Sequence, residues 1–382
     1  MILPPRPRAD QSCAAVPPPP KKISQSQLAA ELGISQALVS LVLNGRKQGI
    51  NAETYDRVWS LATKRGYHPK GMHLPSSPAG QKRQVGIILR APLRLNTPTL
   101  YFGHVQQGLH TGIEAREFTT VLLGAEDQLD AAKLRRIFGP THAFHGIVLV
   151  GEVRRAFLDE LRHYGLRIVV VSARFPGLCH SVLGNEPQAL ECIVEHLIGL
   201  GHQRFGWLGG NVGLGRHEAR LQALQSALAA AQIELLPRYV VKLEDGDRIA
   251  GADAVRSLMP LAQRKDFPTA FVAYNTLMAA GAVREFTREG WQVPAHVSVA
   301  GADLSPMATE STPRLTVAGS NPQKLGEAAA RLVLADPSGA NDEFTDLMLP
   351  AQLYIGDTTG PAPSPRTRGL NPVQAASASR AR

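Results

Sequence analysis

Eight short apolar runs constrain this chain more than any other feature: "VGIILR" (85–90), "TTVLLG" (119–124), "GIVLVG" (146–151), "RIVVVS" (167–172), "RFGWLGG" (204–210), "YVVKL" (239–243), "TAFVAY" (269–274) and "VSVAG" (297–301). Each has the length and bounding residues of a buried strand. Between them lie segments of helical periodicity, such as "ALECIVEHLIGLG" (189–201), "EARLQALQSALAAA" (218–231) and "LMAAGAVREFTREG" (277–290). Strand and helix in alternation build parallel sheets with covering helices. There are too many units for one compact sheet, so two α/β lobes are expected. In open sheets of this kind, ligands sit at the carboxyl ends of the strands.

At 382 residues and 44% hydrophobic, the chain can bury a large core and has length for two or three domains. Proline-rich, core-poor ends suggest a disordered tail at 1–21 and a basic disordered tail at 358–382. "HLPSSPAGQKRQ" reads as a hinge or linker at 73–84 between a small head at 22–72 and a body at 85–357. Charge follows the same division. Residues 1–84 carry a net +8 and the stretch from Thr358 a net +4, against +9 for the whole chain, so the middle is slightly acidic. A basic head on a near-neutral body suggests a polyanion partner; solvated charge is the plainer reading.

Cys13, Cys179 and Cys192 are far apart and form no C-x-x-C pair, so neither a disulfide framework nor a zinc ribbon is expected. The first twenty-two residues hold no apolar run of signal-peptide length, and no later segment approaches the length of a membrane span. A cytoplasmic, nucleoid-associated protein is expected.

The head reads as three helices. Leu28, Ala29 and Leu32 share a face of the first, about Ser26 to Leu32, and Gly33 supplies the permissive backbone of a tight turn. Ser35 caps a second helix in which Val39, Val42 and Leu43 face the core, leaving Gln36, Ala37, Ser40 and Leu41 on the other side. A third helix runs from Asn51 to about Arg65, with Tyr55, Val58, Trp59 and Ala62 as its apolar stripe. This is an all-α helix-turn-helix head; a basic three-helix bundle that docks on protein is the competing reading.

"LAAELGISQALVSLVLNGRKQGINAETYDRVWSLATKRGYHPKG" resembles the DNA-binding module of the lac-repressor/Gal-repressor family. The family pattern is met at Ala29, Gly33, Ser35, Val39, Ser40, Val42, Leu43, Asn44, Gly45, Arg57, Val58, Gly66, Tyr67 and Pro69. In the body, "EHLIGLGHQRFGWLGG" and "PTAFVAYNTLMAAGAV" are similar to family segments, and the likeness spans about 24–357. It implies an α/β two-lobed periplasmic-binding-protein-like body. We expect lobe 1 at about 85–183 plus 314–336, and lobe 2 at about 184–313 plus 343–357.

The departures are informative. The resemblance implies that the second helix enters the major groove, with an arginine common where this chain has Leu41. Arginine can grip guanine through two bonds; leucine offers only apolar contact, for instance to a thymine methyl. Gln36, Ala37, Ser40 and Leu41 are therefore expected at base edges, with Ser35, Asn44, Arg46 and Lys47 nearer the phosphates and Tyr67 also on the DNA side. Packing of Leu41 against the first helix is the alternative. In the hinge, Met72 or Leu74 would be the minor-groove wedge, although Gly71, Pro75 and Pro78 disfavour a continuous helix and suit a flexible tether. For the effector, matching without gaps places the family's asparagine and aspartate at Asn275 and Asp303, and its arginine at Glu218, with Arg216 as a substitute two residues away. Tyr101 and Phe102 match an aromatic pair that stacks on a sugar face or packs in the core.

"LGGNVGLG" (208–215) lies where a dinucleotide phosphate could sit, but its spacing is not G-x-G-x-x-G. No nucleophile motif or metal spacing appears, so no enzyme activity, cofactor or metal is expected. The reading is a homodimeric repressor of an operator, controlled by a small sugar or polyol. The alternatives are a solute-binding protein without a DNA role, or a regulator controlled by a protein partner.

Overall fold

The computed structural model describes residues 24–43, 50–64, 83–91, 100–139, 142–335 and 343–363. The chain divides into two units, 1–78 and 79–382.

In the first unit, helices α1 (Gln25–Leu32), α2 (Gln36–Leu43) and α3 (Ala52–Lys64) enclose a core of Leu28, Ala29, Val39, Val42, Val58 and Ala62. α1 begins in a reciprocal cap: the Gln27 amide donates to Ser24 Oγ at 3.3 Å, and the Ser24 amide to Gln27 Oε1 at 2.8 Å. It ends at Gly33, whose φ of 68° is left-handed, so glycine is the low-strain choice at the turn. The Leu38 amide then donates to Ser35 Oγ at 3.2 Å, and the Glu53 amide to Asn51 Oδ1 at 3.0 Å, the two caps expected from sequence. The side chains of Leu43 and Trp59 lie outside the described residues.

The second unit opens with β1 (Gln84–Leu89), α4 (Leu100–Glu114), β2 (Thr119–Ala125), α5 (Ala131–Ile137), β3 (Phe144–Val150), α6 (Arg155–Arg162), β4 (Arg167–Val171) and β5 (His180–Gly184). α7 (Glu186–Gly199), β6 (Phe205–Gly209), α8 (Gly215–Ala230), β7 (Val240–Lys242), α9 (Arg248–Leu258), β8 (Ala270–Ala273), α10 (Thr276–Arg288), β9 (Ser298–Gly301) and α11 (Met307–Glu310) follow. β10 (Thr316–Gly319), α12 (Pro322–Val333), β11 (Asp346–Leu349) and β12 (Gln352–Tyr354) complete it. All eight apolar runs are strands.

Two six-stranded sheets result, ordered β11-β5-β4-β3-β1-β2 and β12-β10-β9-β8-β6-β7. Every pairing is parallel except β10 with β12. The first sheet is the floor of lobe 1, where α4 and α12 pack closely; a Cβ on Gly112 would lie 2.6 Å from that of Ala330. The second sheet is the floor of lobe 2, around Trp207, Phe271 and Phe286.

The lobe boundaries differ from the sequence expectation in two places. Strand β10, expected in lobe 1 as part of 314–336, pairs with β9 in lobe 2, and only the following α12 returns to lobe 1. Strand β11, expected in lobe 2 as part of 343–357, pairs with β5 in lobe 1. A four-residue strand carries no local mark of its sheet; its partners' edges decide. The chain thus crosses between lobes after β5, β10 and β11, and the three crossings are tied together. Ser320 Oγ donates to the Leu349 carbonyl at 2.8 Å and accepts from the Asn185 amide at 3.2 Å.

The body also runs past 357. Thr358, expected to open a disordered tail, is fully buried; its hydroxyl donates to the Val299 carbonyl at 2.7 Å and accepts from the Thr316 amide at 3.0 Å. His202 Nε2 lies 3.0 Å from the Gly360 carbonyl, and the Ala362 amide donates to the Leu200 carbonyl at 2.8 Å. These buried partners hold 358–363 in lobe 2. Similarly, Gln84, expected in the linker, is the first residue of β1. Among the described residues, no helix is long and apolar enough to cross a membrane.

Candidate functional site

On α2 the side chains divide as the periodicity requires. Val39 and Val42 are fully buried, Gln36 and Ala37 are exposed, Ser40 is half-buried, and Leu41 is 39% exposed. That exposure argues against packing of Leu41 on α1. The outward face is polar at its start and apolar at Leu41, with no arginine. Asn44, Arg46, Lys47, Tyr67, Met72 and Leu74 lie outside the described residues.

In the second unit, a cavity of about 280 Å³ opens between the lobes at the carboxyl ends of the strands. Lobe 1 contributes Arg90 after β1, Tyr101 and Phe102 from α4, Gly151 and Glu152 after β3, and Ser172 after β4. Lobe 2 contributes Arg216 and Arg220 from α8, Asp245 and Asp247 before α9, Tyr274 and Asn275 after β8, and Asp303 after β9. Five residues expected from sequence thus meet here: Tyr101, Phe102, Arg216, Asn275 and Asp303.

Glu218 does not. It is exposed on α8, away from the cavity. Residues 216 and 220 are one helical turn apart and share the inward face, whereas 218 points about half a turn away. Arg220, which the sequence reading missed, is 1% exposed and lies 4.9 Å from the centroid of the Tyr274 ring, with a bond to the Tyr274 carbonyl.

Both arginines bind one carboxylate. Arg216 Nε donates to Glu186 Oε1 at 2.8 Å, and Arg220 Nε to Glu186 Oε2 at 2.6 Å. Burial pushes the Glu186 carboxyl up, but the two guanidiniums outweigh it and hold it below the ordinary carboxylate value. For Arg216, burial pulls downward and Glu186 outweighs that, so its guanidinium stays charged.

Asn275 caps α10, accepting from the Met278 amide at 2.8 Å, and its Nδ2 donates to the Gly246 carbonyl at 2.7 Å. One amide proton therefore remains for a ligand. Asp303 Oδ1 accepts from the Thr276 amide at 2.8 Å and from the Thr276 hydroxyl, which leaves Oδ2 as an acceptor at the cavity wall. Tyr101 and Phe102 meet edge to face at 5.1 Å. Tyr101 is 7% exposed, so it serves the lobe 1 core and the cavity wall at once.

Among the described residues, two hydrogen bonds cross the cleft, both from the first turn of α8. The Gly215 amide donates to Glu152 Oε2 at 2.9 Å, and Arg216 Nη2 to Tyr101 Oη at 3.2 Å. Separating the lobes breaks both. The glycine-rich loop before α8 has a packing role: a Cβ on Gly210 would lie 2.6 Å from the Asp245 carbonyl oxygen and 2.5 Å from Met278 Sδ.

Two lobes of this topology around a polar cleft define a periplasmic-binding-protein-like fold. The family model for a "periplasmic binding protein-like domain" matches residues 194–359. Among curated relatives, the transcriptional regulator MalR of Streptomyces coelicolor is 26% identical over 359 residues, 90% of this chain and 98% of its own. The ribose operon repressor of Haemophilus influenzae is 24% identical, over 83% of this chain and 92% of its own. Two solved structures share the fold, each with a TM-score of 0.62: the regulator CelR in complex with cellobiose (23% identical, 88% of this chain and 100% of that one) and the lac repressor dimer bound to operator and the anti-inducer ONPF (20% identical, 89% and 100%). Over most of its length the chain is thus similar to helix-turn-helix transcriptional regulators and repressors, and its fold is that of the lac repressor.

Proposed function

We propose that this protein is a sequence-specific repressor that binds an operator as a homodimer and is controlled by a small sugar or polyol held between its lobes. The observation that carries the reading is the cleft itself. A carboxylate oxygen, an amide proton, arginines and an aromatic wall converge there, a set that donates to and accepts from hydroxyls while an apolar sugar face stacks. Similar proteins include a ribose operon repressor and a regulator in complex with cellobiose, which supports a carbohydrate here. Closure on the ligand would act through the two bonds from α8 and the tied crossings, so one lobe arrangement gains stability over another. Such coupling needs no catalytic group, and the protein is read as a regulator, not an enzyme.

At the head, Ser35, Gln36, Ala37, Ser40 and Leu41 are the proposed readers of base edges and nearby phosphates, with Asn44, Arg46, Lys47 and Tyr67 as further DNA contacts. Met72 and Leu74 remain the proposed hinge residues. Two heads in a dimer imply two half-sites with two-fold symmetry.

In vitro selection from random duplexes with the full chain, followed by thermal-shift screening against sugars and polyols, tests both halves. A two-fold-related consensus and a ligand-dependent rise in melting temperature are expected. Failure to enrich any sequence would overturn the operator reading, and failure of every small molecule would overturn the effector reading.

A further inference from the structure

Three arginines reach the cleft, and they are not equivalent. Arg216 and Arg220 share the carboxylate of Glu186. Arg90, at the carboxyl end of β1, makes no ion pair with the described residues, and its Nε is buried without a hydrogen-bond partner. Its side chain lies along Gly151, where a Cβ would come within 2.8 Å of Arg90 Cδ; φ there is +90°, so glycine clears the path. On the far side of Gly151 stands Ser172, at the end of β4. It is 8% exposed and sits at a left-handed φ of 63°, rare for a residue with a side chain, and its Oγ also has no partner. Because β1, β3 and β4 are neighbours in the sheet, the two unpartnered groups flank one glycine on the same wall.

We infer that Arg90 and Ser172 form a subsite on the lobe 1 wall for an anionic group, a carboxylate or a phosphate ester, carried by a small sugar acid. The inference rests on the reading of the cleft as the effector site. Arg90 is half-buried with its Nε withdrawn from water and without a hydrogen-bond partner, which is unfavourable, and the buried Ser172 hydroxyl without a partner adds to it. An anion relieves both, taking Arg90 Nε–H and the Ser172 hydroxyl as donors. A neutral hydroxyl would accept one bond and leave the charge uncompensated. Burial holds the Arg90 pKa down; Tyr274 raises it, Arg216 lowers it further, and Glu152 and Glu126 offset that only through space.

The acids of the cleft suit the other end of such a ligand. Asp303 and Asp247 stand on lobe 2, where Asp247 Oδ1 is engaged by the Ala250 amide and Asp303 Oδ1 by Thr276. Their remaining oxygens accept hydroxyl protons. Glu152, next to Gly151, is engaged by the Gly215 amide. Glu218 is exposed on α8 and off the cavity lining, so it does not repel an anion there. A cavity of about 280 Å³ is at the low end for small-molecule sites, which limits the ligand to about one sugar unit.

The test is calorimetric titration and thermal shift of the full chain at constant ionic strength. The probes are D-glucuronate, D-galacturonate and D-gluconate, glucose 6-phosphate and galactose 6-phosphate, and neutral glucose and galactose, with acetate and inorganic phosphate as ionic controls. At least one sugar acid should bind about tenfold or more tighter than its neutral parent. The uronate and phosphate arms distinguish the two anions. Arg90→Met should erase that preference and leave the ligand-free melting temperature equal or higher, since it removes an uncompensated charge. A packing role for Arg90 predicts the reverse, a lower melting temperature. Ser172→Ala should weaken the acid several-fold, and it carries the test alone if Arg90→Met does not fold. Neutral sugars binding as tightly as the acids, or an unchanged preference in both variants, overturns the subsite and leaves the cleft reading intact. No binding by any probe overturns the subsite and counts against the cleft reading as well.

Discussion

Glu186→Gln isolates the interaction that organises the cleft. Glu186 sits in the first turn of α7, with Asn185 as the cap, so its charge meets both a helix amino terminus and two guanidiniums. Side-chain exposures are 14% for Glu186, 16% for Arg216 and 1% for Arg220. The pairs are therefore close to the buried limit, where removing one partner leaves an uncompensated charge and destabilises by about 3–5 kcal/mol. Glutamine keeps the shape and one acceptor oxygen, which places the expected loss near the lower bound, about 3 kcal/mol. For a body of this size each kcal/mol moves the melting temperature by about 2–4 °C, so a fall of about 6–12 °C is expected by calorimetry or circular dichroism.

Acid provides an independent check. A carboxyl held below its ordinary value contributes stability that is present above the unfolded pKa, about 4.3, and is lost as pH falls through the folded value. The gap between wild type and Glu186→Gln should accordingly shrink below about pH 4. Glu218→Gln, exposed on α8, should stay within about 0.5 kcal/mol of wild type. A Glu186→Gln melting temperature within about 2 °C of wild type, or a gap that does not change with acid, would refute the reasoning.

Leu41→Arg should alter the base preferred at its operator position and change affinity for the wild-type site by about tenfold in a selected-site profile and a binding titration; an unchanged profile would place Leu41 off the base edges. Burial lowers the pKa of His202, whose Nδ1 lies 2.9 Å from Thr269 Oγ1. Its contribution to stability is full above the unfolded value, about 6.5, and declines as pH falls through the folded value, so melting temperature should drop from pH 7 to pH 5 with a slope that His202→Gln reduces. His196, also lowered by burial, adds a slope of the same sign that this variant leaves in place. Ending the chain after Asp357 should cost about 3 kcal/mol relative to ending it after Pro363, because the bonds of Thr358, Gly360 and Ala362 are lost; equal denaturant midpoints would contradict that.

Much of the architecture was legible because it is local. Each of the eight apolar runs became a strand, and the caps at Ser35 and Asn51 were readable as short polar side chains ahead of periodic segments. β5, β10, β11 and β12 were not, being three to five residues long and, in β11, exposed along most of their length. The candidate site was partly legible. Asn275 and Asp303 follow apolar runs at strand ends, where ligands of open sheets bind. Arg90 carries the same mark, a charge closing "VGIIL", and that signal went unused. Arg216 and Arg220 stand at a spacing of four, which on a helix puts them on one face; ungapped matching pointed between them, to Glu218.

By itself, then, the sequence determined which segments pair or coil and which helix faces are apolar, since those properties depend on neighbours a few positions away. Only the tertiary structure decided that β10 and β11 exchange lobes, that 358–363 is core, and that one carboxylate pairs with two of the three arginines while Arg90 pairs with none among the described residues. The reason is distance along the chain. Glu186 lies 30 and 34 residues from its partners, and Thr358 lies 42 from the amide it accepts from. Charge compensation and burial are set by whichever residues the fold brings together, and no local pattern records them.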